Sequence, residues 1–209
     1  MEKSNREIQS CQHTTLSPIC LLVTPRALQF FFLIGTLILL TAARLDAALS
    51  IGATYPLSVV DIDGNKHTTV DGHVTVIVLT TTADREKART VGDRVPERCL
   101  GNPDYRMTTV IRFARRHTGV GRRIATAFIR HRVNEEAKRL QARYDGKKIV
   151  RDARKDIFVA TDFDGSVSSQ LGEPEGAADF AVFVFGRNGE LIAQWHGVPS
   201  AEQLAASLK

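Results

Sequence analysis

The sequence predicts an α/β protein, a three-layer α/β/α sandwich built on a central mixed sheet. Three observations carry that prediction. Residues 74–79, Val-Thr-Val-Ile-Val-Leu, are a short, mostly β-branched run closed by turn residues, as expected of a strand buried on both faces. A helical stretch from Arg85 and an alternating stretch at 105–113 follow it, which makes a right-handed parallel strand–helix–strand unit. Two apolar runs, 180–185 and 190–195, then flank Gly186-Arg187-Asn188-Gly189, where Asn-Gly favours the positive φ of a hairpin turn.

The N-terminus stands apart from that body. Residues 27–43 contain no charge, Lys3, Arg6 and Arg26 outnumber Glu2 and Glu7 before them, and Thr41-Ala42-Ala43 closes the block with small residues. This is the layout of an export signal, and the block is also only slightly shorter than the roughly 20 residues of a spanning helix. Residues 1–47 therefore read as an export signal or an N-terminal membrane anchor, and either reading puts the body in the periplasm or envelope. Cys11 and Cys20 fall in this leader, so the body from residue 52 to 209 keeps one thiol, Cys99. An internal disulfide framework is excluded. Cys99 reads either as a small buried hydrophobe or as a reactive or intermolecular thiol.

Along the body, residues 55–60 form a short strand that turns at Asp61-Ile62-Asp63-Gly64 and returns through 67–70. Asp61-Ile62-Asp63-Gly64 is no calcium loop, since the closing glutamate's position holds Gly72; Asp162-Phe163-Asp164-Gly165 is likewise a turn. After the central strand, Asp84 or Thr82 is placed to cap a helix over 85–95, with Pro96 as its stop. The longest periodic segment, 121–144, predicts a helix with Ile124, Phe128, Val133, Ala137, Leu140 and Tyr144 on one face and Arg122, Arg123, Arg130, Arg132, Lys138, Arg139 and Arg143 on the other. A strand at 156–161, a short helix or turn at 166–171, the hairpin and a closing helix over 199–208, with Pro199 in its first turn, complete the chain.

This order resembles the thioredoxin-like fold of exported thiol–disulfide proteins and peroxiredoxins, over about residues 55–209. The resemblance is most specific at Phe183-Val184-Phe185-Gly186-Arg187-Asn188-Gly189-Glu190-Leu191-Ile192 and at Gly197-Val198-Pro199-Ser200-Ala201-Glu202-Gln203-Leu204; Thr161-Asp162 to Leu171-Gly172 looks like the family's strand-to-short-helix segment. It implies a Cys-x-x-Cys pair at the end of the central strand, and this chain has Asp84 and Lys87 there. It also implies a cis-proline facing that pair, and Ala178-Asp179-Phe180-Ala181 has none. Without a thiolate the corner has nothing to attack a disulfide. The chain thus reads as a divergent member without the redox dithiol, a binding or accessory module of the envelope. The alternative is a peroxiredoxin-like or thiol–disulfide oxidoreductase that uses Cys99 as its single thiol.

Other chemistries lack their residues. His67, His73, His117, His131 and His196 show no zinc-ligand spacing, so no metal or cofactor is expected. Thr118-Gly119-Val120-Gly121 follows no phosphate-loop pattern, and nothing in the order of elements brings Ser166 or Ser168 to a histidine. Charge is the positive clue. Residues 106–155 hold sixteen Lys or Arg against four acids, a surplus of twelve in a chain whose net charge is +5. Either this is a solvated helix face, or Arg122, Arg123, Arg130, Arg132, Lys138, Arg139 and Arg143 meet an acidic protein or an anionic membrane surface; export argues against nucleic acid.

Overall fold

The computed structural model describes residues 48–113, 117–173 and 180–209. The signal-or-anchor segment 1–47, with its apolar block 27–43 and Cys11 and Cys20, lies outside them. Among the described residues no helix is long and apolar enough to cross a membrane.

The body opens with a two-stranded antiparallel hairpin, β1 (Ser58–Val60) and β2 (Lys66–Thr68). The main sheet has β3 (Val74–Thr81), β4 (Tyr105–Arg112), β5 (Phe158–Asp162), β6 (Ala181–Phe185) and β7 (Leu191–Trp195), in the order β5-β4-β3-β6-β7. β3, β4 and β5 run parallel; β6 is antiparallel to β3, and β7 to β6. The helices are α1 (Arg85–Arg94), α2 (Gly119–Gly146), α3 (Ser166–Gln170) and α4 (Ala201–Ser207). The expected mixed sheet, parallel unit and terminal hairpin are all present.

Alternation along the strands divides the core. Val74, Val76 and Val78 of β3 face Ala88 and Val91 of α1, Val182 and Val184 of β6, and Leu204 of α4. Ile77 and Leu79 face the opposite way, onto Val110, Phe183 and Leu171, under Leu57 and Val59 of the hairpin. Because β3 is central, both sets are almost wholly shielded from water. α2 covers β4 and β5 on the α1 side, through Ile129 and Val133 against Val159, Ile111 and Ile157. Both parallel crossovers thus pass over the same face, as right-handedness requires. The opposite layer is thin: it consists of α3 and the β1–β2 hairpin.

Three local expectations need correction. Ile124 and Phe128 do not share the buried face of α2; they are 67% and 58% exposed, and the buried stripe is Ile129, Val133, Ala137 and Tyr144. From Phe128 to Val133 is five residues, about 500° of helical rotation, so the two point to different sides. α4 begins at Ala201, and Pro199 precedes its first turn: Ser200 accepts from Gln203 N and Gln203 reaches back to Ser200 N, a complete capping box. β5 starts at Phe158, because Ala153–Asp156 forms a 3-10 turn.

The turn readings hold. Asp61 Oδ1 accepts from Asp63 N and Asn65 N at 2.9 and 2.8 Å, while its Oδ2 meets His67 Nε2 at 2.8 Å. In the β6–β7 hairpin Gly189 has φ 80°, and a Cβ there would sit 2.6 Å from Val70 Cγ1 and 3.1 Å from Tyr55 O. No other residue fits that position.

Asp71, His73 and Arg106 fasten the start of β3 to β4. Arg106 Nη1 lies 2.7 Å from Asp71 Oδ2, and His73 Nδ1 lies 2.8 Å from Asp71 Oδ1. Burial of Asp71, which alone would raise its pKa, is outweighed by the hydrogen bonds and charge of Arg106 and His73, and the carboxyl is pulled down to about 2. A carboxylate depressed on folding stabilises the fold fully above its unfolded value near 4 and loses that contribution as the pH falls through its folded value. Asp71→Asn is therefore expected to lower stability by about 1 kcal/mol at pH 7, after allowance for solvent screening. Urea denaturation at several pH values checks this: the gap between wild type and variant should close toward pH 2, and a gap independent of pH would refute the pairing.

Candidate functional site

In an open α/β sheet, ligands meet the carboxyl ends of the parallel strands. Here those ends are Thr81 of β3, Arg112 of β4 and Asp162 of β5. β7 runs parallel to β3, so His196 follows it out at the same edge, and β6 enters there from Phe180.

The corner between β3 and α1 is built by Thr81, Asp84 and Lys87. Asp84 stands at the N-cap position, yet its carboxylate does not cap the helix. It takes Lys87 Nζ at 2.7 Å and the Thr81 hydroxyl at 3.3 Å. Lys87, chiefly through its hydrogen bond, holds the Asp84 carboxyl below the usual range. Phe180, only 4% exposed, lies beneath, with its ring centroid 5.8 Å from Lys87 Nζ. The two positions of the expected dithiol have therefore become a one-turn ion pair, and the position near the expected cis-proline has become its apolar floor. Ala178 and Asp179 lie outside the described residues.

Cys99 is elsewhere. It closes the 3-10 turn Glu97–Cys99 at the far end of α1, about 15 Å of helix from Asp84. Its side chain is 7% exposed in the core cluster with Val91 and Leu208, and burial raises its thiol pKa despite the charge of Arg98. Such an environment suppresses the thiolate.

A second polar group sits at the carboxyl edge, and sequence reasoning missed it. Glu173, 4% exposed, accepts from Gln194 Nε2 at 3.4 Å, and its Oε1 lies 2.5 Å from His196 Nε2. Arg112 Nη1 donates to the Glu173 carbonyl at 3.5 Å, so the group spans the edge from β4 to β7. An acid between a helix end and a proline reads as a loop residue, and no local signal marks it. His196 has its Nε2 occupied, and among the described residues no hydroxyl or thiol is hydrogen-bonded to it. The group ties the β4 and β7 ends of the edge together, but it lacks a nucleophile. Among the described residues there is no cluster of three His, Cys, Asp or Glu able to hold a metal ion.

The seven basic residues singled out in α2 are spread around the helix. Arg130 Nη2 donates to Ile62 O at 2.6 Å and its Nε lies 3.5 Å from Asp63; Arg143 meets Asp93 at 3.2 Å. Lys138 pairs with Glu135 at 3.0 Å, and Arg139 approaches Glu136 at 3.8 Å. The guanidinium of Arg122 lies over Phe163, 5.4 Å from its centroid, and that of Arg132 over Phe128, at 5.1 Å. Arg123 is exposed, with no carboxylate beside it among the described residues. The acids acting on α2 are therefore more numerous than Glu135 and Glu136, with Asp164 acting on Arg122 and Glu135 on Arg132, and the basic residues that make no salt bridge among the described residues lie in the first half of the helix. Phe113, stacked on Phe163 at 4.5 Å and edge-on to His117 at 4.9 Å, fastens that half to the ends of β4 and β5. A hollow of about 670 Å³ beside Gln141, Asp145, Lys148 and Val150 is at the other end of α2, away from the corner.

No family model matches the sequence, and no curated protein matches it. Solved structures do. The exposed lipoprotein thioredoxin Etrx1 from Streptococcus pneumoniae is 13% identical, with 73% of this chain and 97% of that one covered and a TM-score of 0.46. A putative thiol:disulfide interchange protein DsbE from Chlorobium tepidum is 15% identical, covering 78% and 100%, with a TM-score of 0.47. StoA from Bacillus subtilis is 13% identical, covering 76% and 99%, with a TM-score of 0.42. The chain's own strand order and directions are those of a thioredoxin-like fold.

Proposed function

We propose that this chain is an exported thioredoxin-fold domain that works as a binding or accessory module of the cell envelope and does not exchange disulfides. The observation that carries the reading is the Asp84–Lys87 pair over Phe180, which fills the corner with two groups that neither attack sulfur nor leave as thiolates. Export is supported by the charged leader and the apolar block 27–43 with its small-residue end. The α2 basic residues, Arg122, Arg123 and Arg132 above all, supply the surface for an acidic partner. The rival reading, oxidoreductase or peroxidase chemistry at Cys99, is disfavoured by that thiol's burial in an apolar cluster, which raises its pKa against the charge of Arg98.

Insulin reduction with dithiothreitol and hydrogen peroxide consumption test the reading directly, on wild type and on Cys99→Ser. Wild type is expected to show no turnover above the variant in either assay, and Cys99 should resist a maleimide until denaturant is added. Turnover abolished by Cys99→Ser would overturn the reading.

A further inference from the structure

α2 carries apolar residues on two opposite sides. Ile129, Val133 and Ala137 bury the side that meets β4 and β5. Val120, Ile124 and Phe128, at four-residue steps, form a ridge on the other side, 67%, 67% and 58% exposed. From Ile124 to Ile129 the helix turns about 140° beyond a full revolution, so burying one row exposes the other. Single exposed apolar residues are ordinary on a protein surface, whereas a contiguous row marks an interaction site. Arg123 and Arg132 flank the row, with Arg132 lying across the Phe128 ring. Between Asp104 and Glu135 the chain has eight arginines and no acid. The first turn of α2 also has no acidic residue to offset its positive helix end.

We infer that this ridge beds into an anionic lipid surface, with Val120, Ile124 and Phe128 in the headgroup–acyl boundary and Arg123 and Arg132 on the lipid phosphates. The inference rests on the binding-module reading and names its partner. A convex apolar ridge with cationic flanks has the chemistry of an interfacial helix, whose long basic side chains reach back to the headgroups while its apolar row enters. A second copy of the chain is a poorer occupant: a two-fold contact on this ridge would set arginine against arginine. An acidic protein would have to supply both an apolar groove and the anionic rim that a bilayer already combines.

The apolar block 27–43 would hold a full chain that retains it to any vesicle, so the readout must be local. An environment-sensitive fluorophore is attached at Ile124→Cys in the full chain carrying Cys11→Ser and Cys20→Ser; Cys99 is buried and stays unlabelled. A second label goes at Asn188→Cys, on the hairpin turn at the opposite end of the sheet. With vesicles of phosphatidylcholine and phosphatidylglycerol the probe at 124 should brighten and shift to the blue, while the probe at 188 stays as in water. Pure phosphatidylcholine should leave both unchanged. Arg123→Glu with Arg132→Glu should weaken the response about 25-fold or more, at roughly fivefold per basic residue at an anionic surface. Salt near 1 M, where screening falls to about 3 Å, should reverse much of it. An equal signal on neutral lipid, or one that grows with protein concentration without vesicles, overturns the inference. No signal at 124 on anionic vesicles also overturns it; if the protein is then retained by an acidic protein column, the binding-module reading survives, and that reading fails separately if the insulin assay shows turnover.

Discussion

Replacing Asp84 and Lys87 together by cysteine is expected to give this protein a working dithiol, although the wild type has none at that corner. The two positions flank the first turn of α1 three residues apart, where side chains are neighbours at about 5–6 Å between Cβ atoms. A disulfide wants about 3.5–4.5 Å, so closure needs only a small tightening of that turn. The Asp84 carboxylate does not cap the helix, so the first N–H groups of α1 are left to stabilise a thiolate at that position. Lowering a thiol from about 8.5 to about 7 raises its thiolate fraction at pH 7 roughly 15-fold. That thiolate attacks the substrate disulfide to form a mixed disulfide, the thiol at position 87 resolves it and releases the reduced substrate, and dithiothreitol restores the pair. Losing this solvent-screened ion pair costs little. Insulin turnover by the double variant, absent from Asp84→Cys or Lys87→Cys alone, is the expected result. Equal activity in the single and double variants would mean that the corner no longer has the geometry of an exchange site.

The elements legible in the sequence are those in which local and tertiary preferences agree. The β-branched run of β3 can only be satisfied at the centre of a sheet, and it lies there with Val78 and Leu79 wholly buried. Asn188-Gly189 encodes its turn, and Asp84 and Lys87 could be placed at the corner because β3 and α1 meet there by sequence alone. α2 was legible as a helix but not in phase: its apolar residues make two rows, and a reading by three- to five-residue steps joins the first row to the second through Phe128 and Val133. The pairing of Lys87 with Asp84 was within reach of an i,i+3 rule. Glu173 with His196 was not, nor Asp71 with Arg106, since each contact joins elements that only the strand order brings together. The same holds for Asp63 and Asp93, which neutralise Arg130 and Arg143 from other parts of the chain.

Tyr144→Ala is expected to cost about 3–5 kcal/mol, in the range of large-to-small core substitutions. The ring is 1% exposed at the end of α2, where the helix turns back toward β5. Gly101, at φ 69°, lets the chain pass close enough that an added Cβ would lie 3.6 Å from Tyr144 Cζ and 2.8 Å from Ile149 Cγ2. The cavity would therefore open between the β4 entry loop and the end of α2. The hydroxyl is a smaller matter. It donates to Asp156 Oδ2 at 2.8 Å, and burial together with that carboxylate raises the phenol's pKa well above the ordinary tyrosine range. The phenol thus stays neutral at every pH where the fold is studied. Asp156 also accepts from Arg151 Nε at 2.8 and 2.6 Å, so Tyr144→Phe leaves no carboxylate orphaned and should cost only about 1 kcal/mol. Urea denaturation separates the two terms. If Tyr144→Phe proves as costly as Tyr144→Ala, the hydrogen bond and not the packed ring holds the end of α2, and this account of the helix's attachment is wrong.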